Sequence, residues 1–244
     1  MTCRGPGERA RRCAFQQNDN RAVNQREQHS TDLQFLASHA PTTRAVAVLA
    51  LTLLWAVRLA GYIFIRNRGK GEDFRYQAMR RKYGPRFWLV SLFTVFLFQG
   101  LIMVIVFTPI QETVRAAAPA NLTLFDYCGA AIVLAGRLFE TIADRQLFVF
   151  KSRPENKGQP LRSGLWRYSR HPNYFGEALV WIGMSVMALS VPGGATTVAS
   201  PLLMLFLLLN VSGIPLLKKE FDRRPAYREY MENTSAFIPL PPKG

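Results

Sequence analysis

Five long apolar blocks decide what this chain can fold into. Ala45–Ile65, Phe87–Phe107, Leu122–Ile142, Tyr174–Val191 and Val198–Leu217 each approach the roughly 17–25 residues that carry a helix across a bilayer. Core helices of water-soluble domains are shorter and keep a polar face. Strand-like alternation persists nowhere, and no Gly-rich phosphate loop follows a strand. The expected fold is all-α, a multi-pass transmembrane helical bundle of about five spans over residues 41–244. Residues 1–40 read as a separate polar segment. It has no apolar run long enough for a signal peptide and a composition that favours disorder.

The charge follows the same layout. A formal net charge of +15 on a soluble domain would suggest nucleic acid. Here eight Lys/Arg stand against Glu72 and Asp73 in 66–86, seven against Asp144 and Glu155 in 143–173, and six against four acids in 218–244. The intervening connections, "TPIQETVRAAAPAN" and "PGGATT", carry no net charge. Alternate loops are basic, which is the positive-inside pattern: the N-terminus is expected outside and the C-terminus in the cytosol. The partner this implies is a lipid bilayer, with no role for nucleic acid. A eukaryotic host would place the chain in the endoplasmic reticulum, a bacterial one in the inner membrane. Cys3, Cys13 and Cys128 have no Cys or His at metal spacing, so no metal site is expected. Cys128 is expected to be a small packing residue within its span.

Charges inside apolar blocks cost about 3 kcal/mol each at mid-membrane, so those present should face protein or water. Arg58 shares a helical face with Trp55 and Tyr62. Arg137, Glu140 and Asp144 form one stripe at the end of the third block, with Lys151 about two turns on. The fourth block begins in "GLWRYSRHPNYFGE", Gly164 to Glu177. Pro172 suits a first helical turn. Arg170 and His171 stand just before it, where free backbone N–H groups and a guanidinium suit an anion. Asn173, Tyr174, Glu177 and Trp181 fall within about 100° of arc.

That stretch, followed by a tryptophan-containing span and then by "GIPLLKKEFDRRPAYREYMENTSAFIPLPPK", resembles the steroid 5-alpha-reductase-like family, in its uncharacterised branch. "RNRGKGEDFRYQAMRRKYG" and "FETIADRQLFVFK" fit the same pattern, so the resemblance covers about residues 44–242. Its superfamily includes sterol C=C reductases and isoprenylcysteine and phospholipid methyltransferases. The resemblance implies an oxidoreductase using NADPH, or NADH, to reduce a C=C bond conjugated to a carbonyl in a steroid-like or other lipid. It implies cofactor contacts at Glu140, Asp144, Lys151, Arg170, His171, Asn173, Tyr174 and Glu177, with Lys218, Lys219 and the Tyr227 region closing the site. Tyr174 and Glu177 are the candidates for catalysis. The alternatives are an S-adenosylmethionine-dependent methyltransferase of a lipid or prenylcysteine, and an inactive or truncated membrane relative. Lys218-Lys219-Glu220 carries one acid where those methyltransferases have an acidic pair, and the cations suit a dinucleotide's phosphates, which favours the reductase. Relatives usually begin with one or two further hydrophobic helices, where this sequence has 1–40.

Overall fold

The computed structural model describes residues 41–69, 71–117, 119, 121–211, 214–215 and 225–243. The segment 1–40, Lys218 and Lys219 lie outside them. From Thr42 onward the chain forms one unit, helical with no strand among the described residues. We number its principal helices α1 (Thr43–Asn67), α2 (the helical run Arg75–Val106), α3 (Thr108–Arg115), α4 (Leu124–Lys151), α5 (Pro172–Ala188), α6 (Ala199–Phe206, within the helical run Gly194–Val211) and α7 (Arg228–Asn233).

Three runs, Thr43–Asn67, Arg75–Val106 and Gly194–Val211, are long and apolar enough to cross a membrane. Only 6% of the most apolar window of α1 is buried against protein. Val57, Phe64 and Ile65 face outward from it, which in water would be an unstable surface and in lipid is an ordinary one. The blocks expected at 122–142 and 174–191 are α4 and α5. The helix of α4 continues to Lys151, nine residues past its apolar stretch. The block expected at 87–107 is preceded by Phe74–Tyr83, a helical extension rich in Arg and Lys, and broken by a π-helical stretch at Leu92–Leu97. Cys128 corrects its expectation: it is exposed. The buried position beside it belongs to Gly129, because that face of α4 has no room for a side chain.

The lack of room comes from two glycine pairs. A Cβ on Gly136 would sit 2.6 Å from the Gly176 carbonyl oxygen, and one on Gly129 2.6 Å from that of Gly183. The reverse contacts are as close, at 2.6 and 2.7 Å. Gly129 and Gly136 are seven residues apart on α4, as are Gly176 and Gly183 on α5, so one antiparallel seam meets twice at backbone distance. Small residues at an interface let helices approach this way without a hydrophobic driving force. Trp181 anchors the adjoining core, edge-on to Trp55 of α1 at 5.4 Å and to Phe107 at 5.3 Å, with Val48, Val133, Met184 and Met187 around them.

The C-terminal residues cross back over the opening stretch. The Ser235 carbonyl accepts from the Arg170 amide at 2.8 Å, and the Leu240 amide donates to the Tyr168 carbonyl at 3.0 Å. The Tyr230 hydroxyl donates to the Trp166 carbonyl at 2.6 Å, and the Ser169 hydroxyl to that of Phe237 at 2.7 Å. The Trp166 indole donates to the Ala143 carbonyl of α4 at 3.0 Å. The loop from Gly164 to His171 is thereby held between α4 and the tail.

Candidate functional site

The glycine seam determines which polar groups meet. Glu140 lies one turn after Gly136, and the close approach of α5 brings the backbone of Glu140 to 2.7 Å from where a Cβ on Gly176 would be. Glu177 follows Gly176, so both glutamates occupy the same level of the seam. Arg58 of α1 completes the level. Its guanidinium spans two acids of α4, at 2.5 Å from Glu140 and 2.6 Å from Asp144. Asn173 donates to the other oxygen of Asp144 at 3.3 Å. Glu177 and Tyr174 lie within electrostatic reach of this group.

The arrangement is unusual for an apolar bundle. Three carboxylates, Glu140, Asp144 and Glu177, surround one guanidinium. Glu140 and Asp144 are almost wholly buried, and Oε2 of Glu140 has no hydrogen-bond partner among the described residues. A buried polar atom left this way costs free energy that structural networks avoid, and such costs concentrate where a ligand or a reaction uses them.

On the loop side, a hollow of about 170 Å³ adjoins the cluster. Arg66, Lys151 and Arg170 bring cations to it, and Tyr174, Tyr227 and Tyr230 bring rings. His171 stacks on Tyr174 with ring centroids 5.4 Å apart and planes at 7°. Its Nδ1–H donates to the Ala236 carbonyl at 2.8 Å. Burial pushes the imidazole down to about 4, with the neighbouring Arg170 acting in the same direction, so the ring is neutral at pH 7 and the hollow's charge comes from Arg66, Lys151 and Arg170. Burial also raises the Tyr230 phenol. Tyr227 closes one wall and donates to the Gln159 carbonyl at 3.1 Å. Lys151 and Tyr227 also line a second, wider hollow of about 380 Å³ beside Arg153 and Lys157.

The sequence-derived candidates therefore fall into two adjoining groups. Glu140, Asp144, Asn173 and Glu177 share the charged cluster, Lys151, Arg170, His171, Tyr174 and Tyr227 line the hollow, and Asn173 belongs to both. Sequence reasoning singles out Arg58, Glu140 and Asp144 separately but not their pairing, and it does not foresee Arg66 or Tyr230. Arg137, expected on the stripe with Glu140, is half-buried, and its Nε has no hydrogen-bond partner among the described residues. No group of three or more His, Cys, Asp or Glu among the described residues could hold a metal ion.

Fold and site together define a membrane-embedded helical protein with a buried carboxylate cluster beneath a basic, tyrosine-lined hollow. The chain belongs to the family described as "Protein of unknown function (DUF1295)", whose pattern matches residues 29–234. That family is known as steroid 5-alpha-reductase-like. The chain is also similar to an uncharacterised protein of the fission yeast Schizosaccharomyces pombe, at 25% identity over 238 residues. That match takes in 84% of this chain and 66% of the yeast protein, so the chain spans just under two thirds of that relative's length. No solved structure matches it.

Proposed function

We propose that the protein is an NADPH- or NADH-dependent membrane reductase of a C=C bond conjugated to a carbonyl in a lipid. The five apolar blocks would cross the membrane, with the loops 66–86 and 143–173 and the C-terminal tail in the cytosol. The observation that carries the reading is the junction of two unlike environments. A hollow with Arg66, Lys151 and Arg170 on its walls opens at the basic end, and directly beneath it lies the cluster of Arg58, Glu140, Asp144 and Glu177.

The residues fit a dinucleotide in chemistry and in extent. Ligand sites for molecules of this size run to about 300–1,000 Å³. The inner hollow alone is smaller, about 170 Å³. The outer one of about 380 Å³ shares Lys151 and Tyr227 with it, so the two together suffice. Arg170, Lys151 and Arg66 would hold phosphates, and the tyrosines would flank a ring. Asn173, Tyr174 and Glu177, at the mouth of α5, would orient the reactive end. A bound nicotinamide would supply the hydride. Tyr174 or Glu177 would donate the proton, a contribution of about 10²–10⁴-fold in general acid catalysis. The seam of α4 and α5 would keep those groups in register with the carboxylates of α4.

A second reading has one observation in its favour. Three clustered carboxylates, two of them buried, would complement the sulfonium of S-adenosylmethionine, and a lipid or prenylcysteine methyltransferase would use them so. Thermal stabilisation of the purified protein separates the two, because a ligand at 100 times its dissociation constant adds about 2.7 kcal/mol. NADPH or NADH should raise the melting temperature and S-adenosylmethionine should not. Lys151→Ala and Arg170→Ala should each weaken that binding by about tenfold. Failure of both nicotinamide cofactors to bind overturns the reductase.

A further inference from the structure

The helix that opens α2, Phe74–Tyr83, is well marked in the sequence but has little to hold it. The Asp73 carboxylate caps its start, accepting from the Arg75 amide at 2.9 Å. Its end falls on Gly84, at a φ of 50° that suits a residue without a Cβ. Yet no described side chain of this helix is buried, and Met79 is half-buried at most. Its ten residues fall short of the roughly 12–15 that make an isolated helix even marginal in water. Short helices normally draw their stability from packing an apolar face, and the bundle offers this one no such contact.

The charge identifies the surface that would hold it. Segment 66–86 sets eight Lys/Arg against two acids, and both acids are taken within the segment. Glu72 meets Arg80 at 2.9 Å, and Asp73 meets Arg75 at 3.0 Å. Arg81, Lys82 and Arg86 are exposed and have no carboxylate partner among the described residues. None of the three lines either hollow, so they stand apart from the site proposed above. Arg75 lies within electrostatic reach of Tyr174, so the first turn stays beside the inner hollow and the unpaired cations gather at the last turn and just after it.

That last turn adjoins the apolar run. Gly84–Arg86 joins it to Phe87, and the Arg80 guanidinium lies over the Phe87 ring at 4.3 Å. Tyr83 and Trp88 are exposed at the junction, and Phe93 and Phe96 face outward beyond it. Rings placed this way mark the boundary between membrane and water. A ten-residue helix is about 15 Å long, and in physiological salt an anionic surface attracts cations over about 8–10 Å. Arg81, Lys82 and Arg86, at the near end of the helix, fall within that range.

We propose that residues 74–86 form a docking surface for the headgroups of anionic membrane lipids, with Arg81, Lys82 and Arg86 as the charged contacts and Tyr83 and Trp88 as anchors at the boundary. Basic clusters beside membrane helices attract such headgroups. A soluble polyanion such as RNA presents the same charge, but the junction with an apolar run and its exposed rings favour lipid. Docking requires only that the run Arg75–Val106 cross a membrane; it needs neither the cofactor nor the substrate of the reductase reading, and each can fail while the other stands.

Because the helix lacks packing of its own, its backbone reports docking directly through amide hydrogen exchange. The full-length protein is placed in nanodiscs of phosphatidylcholine alone and in nanodiscs of phosphatidylcholine mixed with phosphatidylserine. Exchange across 74–83 should be about tenfold slower in the mixed discs, and high salt should abolish the difference. The combined variant Arg81→Gln, Lys82→Gln, Arg86→Gln should exchange fast in both. Arg115→Gln removes an exposed arginine near Pro119 and Asn121, at the opposite end of the bundle, and should behave as the parent does. Both variants should melt with the parent in phosphatidylcholine. Inorganic phosphate, or a single-stranded RNA oligomer, added to phosphatidylcholine discs should leave exchange fast. Equal exchange in the two kinds of disc, slowing that persists in the combined variant, slowing lost in Arg115→Gln, or slowing by phosphate or RNA without anionic lipid each overturns the proposal.

Discussion

Arginines of α1 meet acids of α4 at two levels, and the two meetings are built differently. At one end Arg44 is fully buried, and each nitrogen of its guanidinium has a partner. Its Nε and Nη2 reach the two oxygens of Asp126 at 2.7 and 2.9 Å, and the carbonyls of Pro119 and Asn121 accept at 2.6 and 2.7 Å. Asp126 also accepts from the Thr123 amide, the Thr123 hydroxyl and Ser190. At the other end Arg58 serves two carboxylates, a third stands nearby, and one oxygen of Glu140 lacks a hydrogen bond among the described residues. The basic hollow and a crevice of about 400 Å³ between α1 and α4, lined by Arg58, Tyr62 and Asp144, both open beside this second level, whereas the Arg44 side chain is sealed from its surroundings. A closed network fastens helices together. An open one keeps charge in reserve for something that arrives.

The comparison breaks most severely where both levels share a support. Gly136→Leu forces a side chain into the Gly176 carbonyl, which backbone cannot move to relieve, and it should leave no folded protein in detergent by size-exclusion chromatography. Arg44→Met should come next. It strands Asp126 in the interior, and breaking a buried pair in this way costs about 3–5 kcal/mol. Arg44→Met with Asp126→Leu should regain most of that loss, since removing both partners of a buried pair is often near neutral. Thermal melts of the two variants test this, and a double variant as unstable as the single one would mean the carbonyl contacts carry the knot. Arg58→Met should cost less, about 1–3 kcal/mol, because its site is partly open and its neighbours already tolerate incomplete pairing. Adding Glu140→Gln should recover stability. If Arg58→Met instead matched Arg44→Met in cost without that rescue, the distinction between fastener and reserve would be lost.

How much of this is legible in the sequence follows from the range of each interaction. Apolar length is a local property, so the helical class and the three runs apolar enough to cross a membrane are readable. Arg58 with Tyr62, and Glu140 with Asp144, are readable as faces of single helices. Their union is not, because 82 residues separate Arg58 from Glu140 and nothing local pairs them. The same spacing of 82 separates Arg44 from Asp126, and that repeat is the signal the sequence does carry: two parallel helices matched by one charge each at both ends. It is easily passed over because Arg44 lies just outside the first apolar block. The glycine seam has a comparable signal in the seven-residue spacings of Gly129 with Gly136 and Gly176 with Gly183. Residues in the hollow drawn from the tail, such as Tyr230, depend on a fold-back that no local pattern announces.

The last of the expected effects, which is absent at neutral pH and grows only on acidification, concerns His171, at the rim of the open level. Its ring is buried, bonded to Ala236 and stacked on Tyr174, and burial holds it down to about 4, against about 6.5 for an unfolded histidine. Between those values the unfolded chain binds a proton that the folded one refuses, so stability rises with pH across the window. The contribution is complete above about pH 6.5 and is lost as pH falls towards 4, amounting to about 2 kcal/mol by pH 5. Melting temperature should therefore drop between pH 7 and pH 5, and His171→Asn, which keeps a side-chain donor near Ala236, should flatten that drop. Arg44→Met, which loosens the closed level and leaves the imidazole in place, should melt lower throughout but with the parent's slope. A parent melt that is flat from pH 7 to 5, or a His171→Asn melt as steep as the parent's, would detach the ring from the acid sensitivity and leave the tail's grip on the hollow to its backbone bonds alone.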